Sequence, residues 1–147
     1  MITAEWITND WSDSHEIRRK VFIEEQNVAP EIEIDGSDAL ASGVVVYNNE
    51  KKPVATGRLI LVDDEMTIGR VAVLKEERGK KLGDLVVRML IRRACECGYE
   101  KQIAHVQTHA CGFYEKLGFI AEGEEYLEAG IPHVTMVHTG DVGGNCK

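Results

Sequence analysis

The sequence has no long hydrophobic run. Its longest uninterrupted apolar stretch is only a few residues, whereas a helix that spans a bilayer needs about 20 predominantly apolar residues. The opening residues, MITAEWITND, lack the charged start and apolar centre of a secretory leader, and they are predicted to form an edge strand instead. We therefore expect a cytoplasmic protein without a membrane partner.

The four cysteines lack the spacing of a disulfide framework or of a zinc site. Cys95 and Cys97 are two apart within a helical pattern, which turns their side chains to different faces, and Cys111 and Cys146 stand alone. Without a secretory signal, reduced thiols are expected.

The histidines form no metal-binding motif either. His105 and His109 are four apart, but a predicted strand-to-helix transition between them breaks the helical face that such a pair requires. His133 and His138 belong to a later predicted strand. We expect no metal ion.

An excess of positive charge is also missing. The net charge of −8 argues against a nucleic-acid partner, because contacts to a phosphate backbone need a basic surface. The charge is unevenly spread: residues 75–101 hold eight Lys or Arg and five Asp or Glu, a local +3, so the rest carries −11. Neither the P-loop pattern GxxxxGK[ST] nor a GxGxxG after an early strand is present.

What is present is a mixed α/β pattern. Period-two and period-3.6 hydrophobicity together with turn residues predict the order β-α-β-β-β-α-β-α-β. Short connections favour a mostly antiparallel, twisted sheet of six to seven strands flanked by helices. The predicted strands are residues 1–7, 39–47, 53–62, 65–74, 102–107 and 132–139, and the predicted helices are 12–26, 82–97 and 110–117. We expect one domain over residues 1–139 and a flexible tail at residues 140–147.

Two local details accompany this prediction. Asp13 and Glu16 are spaced like a capping box at the start of the first helix. Gly57 and Arg58, in the second of the three central strands, are expected to be bulge and surface residues.

The stretch RVAVLKEERGKKLGDLVV, residues 70–87, predicts a strand, a basic turn and then a helix. The first amides of a helix lack internal partners and the helix dipole is positive there, so this arrangement suits an anion. Arg78, Lys80 and Lys81 add positive charge, and Gly79 and Gly83 permit a close backbone approach. A pyrophosphate is the expected guest; the alternative is a solvated basic helix start.

The segments VAVLKEERGKKLG and FYEKLGF resemble the GNAT superfamily of N-acetyltransferases, which use acetyl-coenzyme A (acetyl-CoA). IRRKVFIEEQNVAPEIEIDGSD and AGIPHVTM resemble its small bacterial ElaA-like branch, and the resemblance covers residues 1–139. The family's pyrophosphate loop reads Arg/Gln-x-x-Gly-x-Gly/Ala. Arg78, Leu82 and Gly83 match it, but Lys81 stands where the middle glycine is usual. Lysine can compensate by its charge, provided that the backbone there needs no positive φ.

The resemblance implies roles for individual residues. The backbone of Val71, Ala72 and Val73 would pair with the pantetheine arm, and the Val73 amide would stabilise the oxyanion. Tyr114 matches the general acid, with a structural tyrosine as the alternative, and Gln107 takes the place of a cofactor-contacting asparagine. The implied contacts to acetyl-CoA are Val71, Ala72, Val73, Arg78, Gly79, Lys80, Lys81, Leu82, Gly83, Gln107 and Tyr114.

The general base is left open, because the fourth predicted strand carries no central carboxylate. Glu25 is the candidate for base or acceptor contact; Glu24, Asp35, His109 and His133 are the others. Residues 24–38 hold six acids and no Lys or Arg. By the resemblance they would border the acceptor cleft and attract a cationic amine, although solubility explains these charges equally well.

We therefore expect an acetyl-CoA-dependent N-acetyltransferase acting on a primary amine of a small molecule. Two alternatives share the fold: a non-catalytic acyl-CoA-binding or sensing module, and an acetyltransferase for protein or peptide amines. The sequence also leaves open a homodimer formed through sheet edges or the C-terminal strands.

Overall fold

The computed structural model describes residues 1–33 and 36–140. A seven-stranded sheet carries helices on both faces. The strands are β1 (Thr3–Trp6), β2 (Ser42–Tyr47), β3 (Pro53–Val62), β4 (Glu65–Val73), β5 (Lys101–Gln107), β6 (Ile120–Glu128) and β7 (Ile131–Thr139). The α-helices are α1 (Ser12–Arg18), α2 (Pro30–Glu33), α3 (Leu82–Glu96) and α4 (Cys111–Lys116).

The sheet has the order β1-β2-β3-β4-β5-β7-β6, and every neighbouring pair is antiparallel except β4 and β5. The predicted antiparallel meander of the three central strands is confirmed. Its turns are tight because Lys51, Asp63 and Asp64 adopt positive φ. The strand predicted at 39–47 begins only at Ser42, since Ser37–Leu40 form a 3₁₀ turn.

The prediction gave no strand to residues 120–128, where the structure has β6. The pattern was missed because β6 lies at the sheet edge and eight of its nine residues are exposed, so no apolar alternation marks it. Four of its residues are glutamates, and charged side chains on an edge strand discourage pairing with another chain. The expected homodimer stays a prediction.

The first helix differs from its prediction in form. It is α-helical only over Ser12–Arg18 and continues as a π-helix over Arg19–Glu25. The predicted capping box is wrong. The N-cap residue Trp11 makes no side-chain cap, and the Asp10 carboxylate accepts from the Ser12 N–H at 2.9 Å. Asp13 instead accepts a hydrogen bond of 2.7 Å from the Tyr47 hydroxyl. The tertiary contact to β2 has replaced the local one.

Helix α3 packs closely on the sheet at Gly57. A Cβ atom there would lie 2.5 Å from Val86 Cγ1 and 3.0 Å from Leu90 Cδ1. Such distances leave no room for a side chain, so glycine sets the approach of the helix to the sheet. No helix in the described ranges 1–33 and 36–140 is long and apolar enough to cross a membrane.

A buried ionic cluster fastens α1 and α2 to the other face of the sheet. Arg18 is fully buried; its Nε donates to Glu33 at 2.7 Å and its Nη1 to Asp38 at 2.9 Å. Arg58 donates to the same Asp38 at 2.9 Å, and Arg70 lies 2.6 Å from Glu33. Arg58 is only 7% exposed, so the prediction of a surface residue is wrong: it lies beneath the 3₁₀ turn and neutralises its acid.

The cluster makes the stability of the fold depend on pH. Burial raises the pKa of Asp38, but hydrogen bonds from His15, Arg18 and Arg58 outweigh it and lower the pKa from 3.8 to about 2. A lowered pKa stabilises the fold above pH 3.8, and that contribution is lost as pH falls towards 2. At 1.36 kcal/mol per unit the loss is about 2 kcal/mol.

We therefore expect Asp38→Asn to be destabilised by about 3 kcal/mol or more at pH 7, because it leaves two buried arginines short of a partner. Its free energy of unfolding should fall less between pH 4 and pH 2 than that of the wild type. Urea unfolding followed by circular dichroism at several pH values measures both. Parallel pH curves for the two proteins would contradict the assignment.

Candidate active site

The central feature of the site is a gap between β4 and β5. These parallel strands pair only at Met66↔Gln102, Thr67↔Ile103 and Ile68↔Ala104. Beyond Ile68 each strand continues, β4 to Val73 and β5 to Gln107. Over that length β4 stays paired with β3 but is no longer paired with β5. One edge of β4 is therefore without a neighbouring strand within the sheet.

The ladder alternation tells which backbone groups line this gap. Leu74 donates its backbone N–H to Val54 O at 2.9 Å, so its polar groups face β3. In an antiparallel strand the backbone N–H and C=O groups of successive residues point to opposite edges. Those of Ala72 therefore point to its partner Thr56 on β3, and those of Val73 point away from β3. The Val73 amide thus faces the gap, as an oxyanion donor would require, while the Ala72 amide points to β3 within the sheet.

A bulge lies at the start of the gap. Between Thr56↔Ala72 and Arg58↔Gly69, β4 contains one residue more than β3. Arg70 absorbs the excess with φ of 52°, and its side chain turns to Glu33. A Cβ built on Gly69 would meet nothing within 4 Å. The bulge therefore twists the strand beside an open space. Apart from Gly69, no residue in the sequence indicates it.

The predicted basic loop does lead from the gap to the N-terminus of α3. Arg78, Gly79, Lys80 and Lys81 are exposed, and Leu82 begins the helix. No side chain caps this end, so its first amides remain available for an anion. Gly83 faces Phe113 of α4, whose Cζ would lie 3.2 Å from an added Cβ, so α4 lies beside the same helix end.

Lys81 adopts φ 62° and ψ 26°. This left-handed conformation is natural for glycine and costs other residues roughly 1–2 kcal/mol. The condition under which a lysine could replace the usual loop glycine without strain is therefore not met. The backbone at this position thus has the left-handed conformation that suits glycine, although the residue is a lysine.

Arg78 spans the mouth of the gap. Its Nε donates to Val73 O at 3.1 Å, and its two Nη atoms donate to the two Glu25 oxygens at 2.7 Å each. The hydrogen bonds from Arg78 lower the pKa of Glu25, which makes this carboxylate a poor proton acceptor. The candidate base thus lies at the basic loop and is held by the arginine predicted to bind the pyrophosphate.

Tyr114 lies on the α3 side of the sheet and is 9% exposed. Its ring makes edge contacts with Phe113 and Phe119, with centroids 5.0 and 5.2 Å away. Burial raises the pKa of this phenol above its ordinary value of 10. The hydroxyl therefore stays protonated at neutral pH, as a general acid must, and the described residues offer it no hydrogen bond.

Gln107 lies at the end of β5 and bridges two elements. Its Nε2 donates to Gln26 Oε1 at 2.6 Å, and its Oε1 lies 2.6 Å from His109 Nε2. The bridge joins the far side of the gap to the end of the π-helix. Any contact of this amide with a cofactor would have to replace one of these bonds.

The acidic segment is largely neutralised. Glu33 and Asp38 are buried against arginines, Glu25 is held by Arg78, and Glu24 pairs with Arg19. Of the six acids in residues 24–38, only Glu31 is both described and without an arginine; Asp35 lies outside the described residues. The structure therefore does not support a strong negative field for a cationic acceptor.

The remaining cysteines and histidines do not form a metal centre within residues 1–33 and 36–140, where no cluster of three ligating side chains occurs. Cys95 is buried and Cys97 exposed, on different faces as predicted, and both are free thiols, as is Cys111. Cys146 and residues 141–147 of the predicted tail 140–147 lie outside the described residues.

Sequence comparison agrees with this geometry. Residues 11–139 match the family model described as an acetyltransferase (GNAT) domain. The Bacillus subtilis protein YyaT is 41% identical over 131 residues, which cover 85% of this chain and 88% of YyaT. Escherichia coli protein ElaA is 31% identical over 146 residues, covering 86% and 94% of the two chains.

Solved structures give the same result. A candidate N-acetyltransferase from Lactobacillus plantarum superposes with a TM-score of 0.86 at 26% identity, covering 94% of this chain and 97% of the other. E. coli ElaA gives 0.82 at 29% identity, covering 94% and 99%. A GNAT acetyltransferase from Elizabethkingia anophelis, solved with acetyl-CoA bound, gives 0.73 at 17% identity, covering 94% and 97%, and shares the fold. A sheet opened between β4 and β5, a basic loop at the α3 N-terminus and these matches lead to one conclusion: the chain belongs to the GNAT family of acetyltransferases.

Proposed function

We propose that the protein transfers the acetyl group of acetyl-CoA to a primary amine of a small molecule by direct attack, with Tyr114 as general acid. The observation that carries the proposal is the open edge of β4, which ends at a basic loop and an uncapped helix N-terminus. A ligand with an extended arm and an anionic group at one end fits this arrangement: the arm suits the open edge of β4, and the anionic group suits the basic loop and the helix N-terminus. No nucleic-acid or membrane partner is part of the proposal.

The open edge would hold the pantetheine arm as an additional strand. Peptide-like amides of the arm would pair with the β4 groups that face the gap, at Val71 and Val73. The pyrophosphate would then lie at the amides of Leu82 and Gly83, with Arg78, Lys80 and Lys81 around it. Gly79, with φ of 84°, would let the loop turn closely around the phosphates.

The chemistry follows from this placement. The amine nitrogen would attack the thioester carbon, and the Val73 N–H would stabilise the developing oxyanion. The C–S bond would then break, and Tyr114, on the α3 side, would donate its proton to the departing thiolate. A buried phenol that stays protonated at neutral pH suits this role.

Calorimetric titration with acetyl-CoA tests the cofactor site, with ATP as a control for general phosphate binding. Arg78→Ala should weaken acetyl-CoA binding roughly 10- to 100-fold, since charged hydrogen bonds contribute about 1.5–3 kcal/mol. Glu25→Gln should tighten it several-fold, because it releases Arg78 and removes a charge that repels the pyrophosphate. Glu96→Gln, which removes the same charge at the far end of α3, should leave affinity unchanged. Equal affinities for all four proteins would contradict the site.

Lys81→Gly tests the strained position in the same loop. Removing the left-handed strain should raise the free energy of unfolding by about 1 kcal/mol, while glycine's own entropy cost reduces the gain. Lys80→Gly, one residue earlier and without positive φ, should not stabilise the fold. Urea unfolding compares the two, and a Lys81→Gly protein less stable than wild type would show that the conformation is not strained.

Tyr114→Phe tests the acid. With acetyl-CoA and a panel of primary amines, followed by thiol release, kcat should fall about 10²- to 10³-fold while the dissociation constant of acetyl-CoA stays the same. Tyr47→Phe removes a hydroxyl bonded to Asp13 and should keep full activity. An unchanged kcat in Tyr114→Phe would contradict the role as general acid and would show that Tyr114 is a structural residue.

One alternative function has support from a specific observation. Arg78 is already satisfied by Glu25 and Lys81 is strained, as they would be in a module that binds acyl-CoA weakly without turnover. Micromolar acetyl-CoA binding with no thiol release from any amine would favour that module over the enzyme.

A further inference from the structure

His105 lies at the point where β4 and β5 separate. The last paired residues are Ile68 and Ala104, so Gly69 and His105 are the first on each strand beyond the pairing. Gly69 has open space where a side chain would be. By register, His105 is therefore the β5 residue beside this open position, at the closed end of the gap, where the acetyl group of a bound thioester would be expected to end.

The side chain of His105 is on the face opposite to α3. Its neighbours Ala104 and Val106 are buried in the core, and alternation along the strand turns His105 to the other face. Gln107, on that same face, reaches the end of the π-helix through Gln26. His105 is exposed, so this face is open to a ligand next to it.

Tyr126 fixes one side of the His105 ring. Its hydroxyl lies 2.7 Å from His105 Nδ1, and Thr135 lies within hydrogen-bonding reach of the same hydroxyl. When Nδ1–H donates to Tyr126 and Tyr126 donates to Thr135, the lone pair of the imidazole is on Nε2. The described residues give Nε2 no partner, so this atom is available to a substrate.

The other two histidines near the gap differ from His105 in their contacts or their position. His133 is buried and stacks on Tyr126; its Nδ1 contacts Ile131 O at 2.7 Å and its Nε2 lies 3.5 Å from Glu128. His109 has its Nε2 bonded to Gln107 and lies in the 3₁₀ turn that follows β5, past the end of the strand. Of the three, only His105 lies where β4 and β5 separate.

The charged surroundings of His105 are mild. Across β7 and β6 the same face carries Thr135, His133, Tyr126 and Glu122, by register. On the β4 side it carries Thr67 and Gly69, which have no charge, and the nearby Arg70 is paired with Glu33. Among the described residues, His105 forms no salt bridge.

We propose that His105, oriented by Tyr126, takes the proton from the acceptor amine in acetyl transfer. This rests on the proposed function. Nε2 removes a proton from the ammonium group, the free nitrogen forms a bond to the thioester carbon, and the C–S bond breaks. The thiolate takes the Tyr114 proton, the second nitrogen proton restores Tyr114, and His105 releases its proton to solvent. The base and the acid then act from opposite faces of the sheet.

Two probe amines separate this role from a structural one. Benzylamine is protonated at neutral pH and needs a base, whereas hydroxylamine is largely unprotonated and does not. His105→Gln should lower kcat with benzylamine about 10²-fold or more, lower it less than 10-fold with hydroxylamine, and leave acetyl-CoA affinity by calorimetry unchanged. Lys101→Gln, exposed at the far end of β5, is the control and should match wild type.

Chemical rescue and a second variant supply independent readouts. With benzylamine, His105→Ala should lose activity and recover it with added imidazole. Tyr126→Phe should lower kcat about 10-fold without changing KM. Full benzylamine activity in His105→Gln, or equal losses with both amines, would overturn the assignment alone. No turnover of either amine by wild type would overturn the proposed function and this assignment together.

Discussion

The site depends on the early end of the hydrogen-bonded ladder between β4 and β5. Three residue pairs hold these strands together, and then β4 continues for five residues with a partner on one side only. Buried or half-buried backbone groups need partners, so an opened edge within a sheet favours an extended ligand that can complete the ladder. The bulge at Arg70 and the Val73 amide that faces the gap, both set by the register of β4 on β3, lie within this stretch.

The buried ionic cluster holds the other wall in place. α2 and the following 3₁₀ turn are short elements with little apolar surface of their own. Five polar contacts made by Glu33 and Asp38 connect them to α1, β3 and β4. Such clusters contribute little net stability, but breaking one leaves a buried charge without its partner. The cluster therefore fixes the geometry of the wall more than it stabilises the fold, and it consumes the acids that seemed available to an acceptor.

Charge at the mouth of the gap is balanced in the same way. Arg78 is both the expected pyrophosphate contact and the partner of Glu25, so cofactor and carboxylate would compete for one guanidinium. The ion pair is exposed on both sides, and exposed pairs are weak. In the proposed binding mode, a pyrophosphate with two charges above the helix N-terminus would displace this single carboxylate.

The sequence by itself determined the family, the antiparallel meander, α3 and the basic loop, because each rests on local signals: hydrophobic period, turn residues and a short motif. The tertiary structure decided the features that depend on strand pairing and on burial. Nothing local marks β6, which is an exposed edge strand, or shows that Arg58 is buried, that Lys81 is left-handed, or that Glu25 is held by Arg78, 53 residues away. The position of His105 at the end of a three-pair ladder was likewise decided by the tertiary structure. Strand register depends on two segments together and cannot be predicted from either one alone.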